Sequence, residues 1–312
     1  MTSYYKVMLG KGSAYAAIGL SQGFIGVDYE IAQDLTDQLP DQWQEFNKKF
    51  IPVYLSNHPG KSKIAAGLAC GAVWTVCKDI QVGDVVTSPN GESGMYMVGD
   101  VVGGYSYNPG KVLPHRRAIQ WRPELLNRED MSLELRRSMG SILAVVNLSK
   151  YRDELSALLA GQTVAPVVID KEVVEDQISF QLEKQLESFL VDNWASTELG
   201  QKYDIYTVDG EQVGQQYQTE TGPLDILAIS KDKKELLVVE LKRGRASDRV
   251  VGQVQRYMGF VVKNLAEEGQ TVRGAIIALE DDPRVQLALL VAPSISFYTY
   301  QISFKLKQMG GG

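Results

Sequence analysis

The chain has 312 residues, enough for two domains, and 44% of them are apolar, a normal share for a protein that builds real cores. Its formal net charge of −6 excludes a surface coated in positive charge, though not a local basic patch of the kind that meets nucleic acid. No apolar run approaches the roughly 18 residues that span a bilayer, residues 1–6 lack a signal-peptide pattern, and Cys70 and Cys77 with the distant His58 and His115 make neither a disulfide framework nor a zinc site, so the cytoplasm is the expected compartment.

Residues 1–125 read as mostly β with some helix. Tyr4–Leu9 and Phe24–Tyr29 are expected strands. Asp37–Phe50 carries Leu39, Trp43, Phe46 and Phe50 at helical spacing, with Pro40 near its start, and is an expected helix. Lys63–Gly71 is ambiguous between helix and strand. A run of turn-punctuated strands follows: Val73–Cys77, then Ile80–Val86 with its Gly83-Asp84 turn, then Met95–Val102 after the turn Pro89-Asn90-Gly91, and last Pro114–Trp121. Together they suggest a small barrel. His115, Arg116 and Arg117 form a short basic cluster that is either a phosphate contact or a solvated strand end.

This portion resembles the PUA/EVE-like barrels, which bind RNA or modified bases in DNA. The carriers are Val82-Gly83-Asp84-Val85-Val86, the strand Tyr96–Val102 ending in glycines, and Arg116-Arg117-Ala118-Ile119-Gln120-Trp121. The resemblance implies that Trp74, Tyr105, Tyr107 and Trp121 could stack on a base; ordinary core or surface rings are the other reading.

Ser132 is placed to cap a helix over Leu133–Met139, Gly140 breaks the pattern, and a second helix covers 150–160. The turn-rich stretch Gly161–Pro166 is an expected boundary, giving domains at 1–165 and 166–312. Residues 170–193 read as one helix, because Ile178, Leu182, Leu186, Phe189 and Leu190 fall on one face. Glu183 and Glu187 flank that stripe, either as a solvated acidic edge or with one of them beneath a metal ion. Tyr203–Val208 and Gln215–Thr219 are expected strands.

The stretch Thr221–Gly244 reads as a β-hairpin, with two apolar segments around the polar turn Ser230–Glu235. Asp225 stands near the start of its first strand, Glu240 and Lys242 near the end of its second. Alternation points Glu240 and Lys242 the same way, about 7 Å apart along the strand. One reading is a solvated pair on an edge hairpin. The other is a metal site: Asp225 and Glu240 offer hard oxygens to Mg²⁺, and Lys242 orients a metal-bound water beside a phosphate. The chain then turns basic, with Arg243, Arg245, Arg249 and Arg256. A helix over Ser247–Asn264, capped by Ser247 or Asp248, carries the last two and suits a phosphate backbone. Gln253 and Tyr257 project from one side of it. Val272–Leu279 is an expected buried strand and Ile295–Leu306 a closing one.

Residues 170–306 resemble the PD-(D/E)XK nuclease superfamily, and within it the Mrr-like and NucS-like members. The carriers, in family order, are Glu183 and Glu187 in Leu182–Leu190, Gly222-Pro223-Leu224-Asp225, Glu240-Leu241-Lys242 and the Gln253-x-x-x-Tyr257 element of RecB-type members. The family's frequent Pro-Asp is here Pro223-Leu224-Asp225, with Asp225 still following a turn. The implied fold class is α/β: a restriction-endonuclease-like mixed sheet flanked by helices, preceded by the mostly-β small barrel with its helices. The implied roles are Asp225, Glu240 and the Leu241 carbonyl as ligands of Mg²⁺ or Mn²⁺, Glu183 or Glu187 holding the ion through water, and Lys242 positioning the attacking water. Gln253 and Tyr257 would steer the phosphate, with Arg243, Arg245, Arg249 and Arg256 on the backbone. The expected function is a metal-dependent DNA endonuclease, homodimeric and without a membrane partner, in restriction, phage defence or repair. The alternative is a nucleic-acid-binding protein that keeps the fold without cutting.

Overall fold

A computed structural model describes residues 2–90, 94–141, 143–161, 186–219 and 222–301. The chain divides into two compact units, Met1–Val167 and Val168–Gly312.

The first unit is built on a six-stranded mixed sheet of β1 (Tyr4–Val7), β2 (Phe24–Val27), β3 (Val85–Pro89), β4 (Met95–Tyr107), β5 (His115–Asn127) and β6 (Val145–Asn147). The order is β2-β5-β4-β3-β1-β6, and β1 and β3 run parallel. Alternation along β1 feeds two cores. Tyr5 and Val7 join Phe46, Phe50, Ala69 and Val73 from the helices Trp43–Asn57 and Lys63–Trp74. Tyr4 joins Leu135, Met139 and Leu155 from the helices Leu133–Met139 and Arg152–Leu159. Register breaks between Met97 and Gly99 and between Val101 and Tyr105 let the long β4–β5 pair curl, as a small barrel requires. Gly99 permits this: a Cβ there would lie 2.3 Å from Ile119 Cγ2.

Three expectations are corrected in this unit, and one left open is settled. The helix expected from Asp37 begins at Trp43 and runs to Asn57 through Pro52. Pro52 is tolerated because it and Lys48, whose carbonyl it leaves without a helical donor, are both exposed to water. Lys63–Gly71 resolves as helix, and Val73–Cys77 is not a strand. The Ala-rich helix runs on to Trp74 and into a π-type turn, Thr75–Asp79, closed by Ile80 N donating to Thr75 O at 2.9 Å. A short apolar run buried all round has no period that separates helix from strand. His115, Arg116 and Arg117 are neither phosphate contacts nor a solvated end. Arg117 is buried, donating to the Val76 and Cys77 carbonyls at 2.6 and 2.7 Å, and so satisfies the open end of that turn. Arg116 lies over the Phe24 ring and donates to the Val112 and Leu113 carbonyls. His115 is fully buried, its Nε2 on the Ile31 carbonyl.

Lys6 is also fully buried, with its ammonium on the Ser141 carbonyl. Burial pulls its pKa down to about 8. The unfolded chain, with an ordinary lysine, therefore binds more protons between pH 8 and 10, and stability rises with pH across that window. The ionisation of Tyr5, which burial and Asp79 push upward, opposes the rise only at higher pH. Urea unfolding followed by Trp fluorescence is expected to show a gain of roughly 1–2 kcal/mol from pH 8 to 9.5. The gain should vanish in Lys6→Met; an equal gain there would assign it to another group.

The second unit holds a mixed sheet of β7 (Tyr203–Ile205), β10 (Gln215–Thr219), β11 (Gly222–Ser230), β12 (Glu235–Arg245), β13 (Thr271–Glu280) and β14 (Ile295–Thr299). Its order is β10-β11-β12-β13-β14, with β7 on the far part of β11. A ribbon of β8 (Thr207–Val208) and β9 (Glu211–Gln212) stands apart, so the strand expected over Tyr203–Val208 is split at Tyr206. The expected hairpin is β11–β12, antiparallel with Ile226 opposite Val239; β12, β13 and β14 are parallel. Ile226, Val239, Leu241 and Ile277 pack with Trp194, Leu199 and Tyr203 on one face. The helix Arg249–Asn264 buries Val250, Val254, Tyr257 and Val261. Gly274 lets it close on β13, because a Cβ there would meet Val254 Cγ1 at 2.5 Å. Asp248 occupies its N-cap position without a side-chain cap bond.

Of the helix expected over 170–193, residues 186–192 are described and helical; the rest, with Glu183, lies outside the described residues, as do 162–166 of the expected boundary and 302–306 of the expected last strand. The apolar face is corrected: Phe189 is 67% exposed, whereas Glu187 and Ser188 are buried. The Glu198-Leu199-Gly200 turn is a short helix, Glu198–Lys202, capped by the Thr197 side chain accepting from Gly200 N.

Candidate active site

Strand alternation sets Asp225, Glu240 and Lys242 on the face of the β11–β12 hairpin opposite Ile226, Val239 and Leu241. Continuing the register one step past Ile226 and Val239 brings Asp225 abreast of Glu240. There the ladder is continued by a side chain: Leu241 N donates to Asp225 Oδ2 at 2.8 Å. In an extended strand a residue's N–H and C=O leave by the same edge, so the Leu241 carbonyl also faces Asp225. Glu240 is 2% exposed, and Lys242 Nζ lies 2.7 Å from its Oε1. The Lys242 side chain is 28% exposed. A buried carboxylate is costly unless paired or ligating, and this one stands beside an ammonium in the middle of β12, not on a solvated surface.

Glu187 comes to the same place from the helical residues 186–192. Gln215 Nε2 donates to its Oε1 at 2.6 Å, and Gln216 Nε2 donates to its Oε2. Gln216 Nε2 also donates to Asp225 Oδ1 at 3.2 Å. Glu187 is therefore no solvated flank, and a chain of hydrogen bonds runs from it through Gln216 and Asp225 to the Leu241 backbone. Neither glutamine stood out in the sequence. The only signal was an amide-rich strand, Gln215-Gln216-Tyr217-Gln218, beside a carboxylate-bearing one.

Tyr257 is buried, with its hydroxyl donating to the Pro223 carbonyl at 3.0 Å, and Gln253 Nε2 lies 3.4 Å from that hydroxyl. The Gln-x-x-x-Tyr pair thus braces the start of the strand that carries Asp225. Arg249 and Arg256 are exposed on the same helix. Arg245 is exposed and pairs with Glu280 at 3.4 Å. The Arg243 side chain lies outside the described residues. In the first unit Trp74, Tyr105 and Trp121 pack half-buried against the core. Their polar atoms meet the Pro40 carbonyl, Leu35 N with His115, and the Gly19 carbonyl respectively. The Tyr107 ring is tilted on His115 at 5.2 Å.

Among the described residues, no three His, Cys, Asp or Glu side chains converge as a closed metal site. The donor set still suits a hard divalent cation that retains water: two abreast carboxylates, a carbonyl facing them and a third carboxylate one amide away. It does not suit zinc, which takes nitrogen and sulfur ligands in a closed tetrahedron.

Residues 209–289 match the family model of the endonuclease NucS C-terminal domain, and residues 5–148 match that of a domain of unknown function (DUF8426). No curated protein matches the chain. Among solved structures it is similar to the EndoMS–dsDNA2 complex, at 13% identity over 67% of this chain and 62% of that one, with a TM-score of 0.33. A repair endonuclease from Pyrococcus abyssi matches at 16% identity over 68% of this chain and 66% of that one, with a TM-score of 0.30. Pyrococcus furiosus SfsA in complex with Ca²⁺ matches at 15% identity over 37% and 56%, with a TM-score of 0.24. The chain spans less than two thirds of the length of each. The NucS-like PD-(D/E)XK resemblance carried by Asp225, Glu240-Leu241-Lys242 and Gln253/Tyr257 falls within the matched segment, on a mixed α/β sheet.

Proposed function

We propose that this chain is a divalent-metal-dependent DNA endonuclease. The observation that carries the reading is the set of Asp225, Glu240 and Lys242 on one face of the hairpin end, with Glu240 buried against the Lys242 ammonium at 2.7 Å. The match of residues 209–289 to an endonuclease domain supports the same chemistry.

Asp225, Glu240 and the Leu241 carbonyl would hold Mg²⁺ or Mn²⁺, with Glu187 or Glu183 reaching it through water. When bound, the ion supplies charge for a phosphate oxygen and acidifies a water. Lys242 holds that water, or a phosphate oxygen, by donating from Nζ. Hydrolysis adds the water oxygen to phosphorus and breaks the bond from phosphorus to one sugar oxygen, which takes up a proton. Tyr257 and Gln253 fix the strand that presents Asp225, and Arg243, Arg245, Arg249 and Arg256 offer charge to the flanking backbone. The domain at 1–165 would recognise the target, through the ring faces of Trp74, Tyr105, Tyr107 and Trp121 where base stacking is involved. A homodimer in the cytoplasm, serving restriction, phage defence or repair, is the setting proposed. No described helix is long and apolar enough to cross a membrane.

The test is a cleavage screen of the full chain on plain, methylated and mismatched duplex, single-stranded DNA and RNA, in Mg²⁺, Mn²⁺ or EDTA. Cutting of DNA in metal and none in EDTA is the expected result. Binding without cutting on every substrate would make the chain a non-cleaving nucleic-acid-binding protein, and cutting in EDTA would end the metal assignment.

A further inference from the structure

We propose that Gln216 is a positioning residue that holds the Asp225 and Glu187 carboxylates in place for a divalent cation; this rests on the metal-nuclease reading above. The starting observation is a backbone outlier. Gln216 has φ +51°, a left-handed conformation that glycine, asparagine and aspartate visit readily and other residues avoid at a cost of about 1–2 kcal/mol. It lies within a strand, not a loop. Gln215 pairs with Ile226 and Tyr217 with Leu224, so Gln216 stands abreast of Asp225 without joining the ladder.

The outlier has a geometric result. Successive residues of a regular strand point to opposite faces. Here Gln215 and Gln216 both send their amides to Glu187, one to each carboxylate oxygen. The Gln216 amide also reaches Asp225 Oδ1, while Leu241 N fixes Asp225 Oδ2. Both oxygens of Asp225 are thereby oriented.

The chemistry of the group matters as much as its place. A lysine or arginine between the carboxylates would neutralise them and compete with a metal ion. An amide orients them and leaves their charge intact for a divalent cation. Hydrogen-bond partners of ligating groups typically contribute 10–100-fold to metal affinity.

The experiment is a calorimetric Mn²⁺ titration of the full chain, with Tm measured with and without Mn²⁺, for wild type, Gln216→Ala, Gln216→Gly and Asp225→Asn. Both Gln216 variants are expected to bind Mn²⁺ about 10-fold more weakly. Their Mn²⁺-induced rise in Tm should shrink to match, whatever happens to the metal-free Tm. A merely structural residue would lower the metal-free Tm and leave the affinity and the induced rise alone, which overturns the proposal. Tighter binding overturns it too, since the amide would then occupy the cation's place. Retained affinity in Gln216→Gly with loss in Gln216→Ala would trace the effect to the backbone and likewise overturn it. If wild type binds no Mn²⁺, or Asp225→Asn binds as well as wild type, the metal-nuclease reading itself has failed and takes this inference with it.

Discussion

Lys242→Met is expected to lower the single-turnover rate of DNA cleavage about 10³-fold while Mn²⁺ and duplex still bind. The argument starts from placement. Lys242 Nζ is 2.7 Å from Glu240 Oε1, so the carboxylate fixes one end of the ammonium's hydrogen bonding. The Lys242 side chain is 28% exposed, so a water or a phosphate oxygen can approach it. Charge builds on the phosphate oxygens and on the attacking oxygen only as the transition state forms, so a preplaced ammonium acts on the rate more than on binding. Removing one such donor typically costs 10²–10³-fold. Lys242→Arg should not rescue, because a planar guanidinium cannot replace a compact ammonium at this distance. Asp225→Asn provides the contrast, since it should lose Mn²⁺ binding and cleavage together. A rate within about fivefold of wild type for Lys242→Met would reduce Lys242 to a counter-ion of Glu240.

The hairpin was legible because three signals agreed on it: two apolar segments, a polar turn, and charges at positions of one parity. Parity alone predicted that Glu240 and Lys242 share a face, and the reach of the lysine side chain closes the gap to a 2.7 Å contact. The helix Leu133–Met139 was legible through Ser132, whose side chain accepts from Leu135 N as an N-cap does. Other features escaped for identifiable reasons. The π-type turn at Thr75–Asp79 ends on carbonyls that Arg117 satisfies from 40 residues away in sequence, a partner no local pattern reveals. The same distance effect holds His115, on the Ile31 carbonyl, and Arg117 inward, where a basic run reads by default as solvated. Around Glu187 the periodicity of apolar residues misled, because the helix end turns Glu187 and Ser188 inward and Phe189 outward, while Leu190 and Val191 pack half-buried against the core. A face chosen for packing alone would bury the phenylalanine. Gln216 was invisible because its φ of +51° is set by tertiary contacts and not by its own preferences.

Stability should expose the same charges independently of activity. Lys242→Met is expected to destabilise the second unit by about 2–4 kcal/mol, below the 3–5 usual for breaking a buried pair because Lys242 is partly exposed. The cost arises on the other residue: Glu240, 2% exposed, keeps a carboxylate whose neighbouring ammonium is gone. It should be smaller at pH 5 than at pH 7, because near the ordinary carboxylate range a proton neutralises that charge more cheaply. Glu240→Leu alone should also destabilise, though less, since Lys242 can turn its ammonium to water. The double variant Glu240→Leu/Lys242→Met should be at least as stable as wild type, because a buried carboxylate and its half-buried ammonium give way to apolar contact on a strand already lined by Val238. Urea unfolding of the four proteins followed through Trp194 closes the cycle. Additive losses in the double variant would show that each group is held by separate partners and that the pair is not a unit. Recovery of stability with no recovery of cleavage would show that the charges are retained at a cost to the fold, which a structural pair has no reason to impose and a phosphodiester-cutting site does.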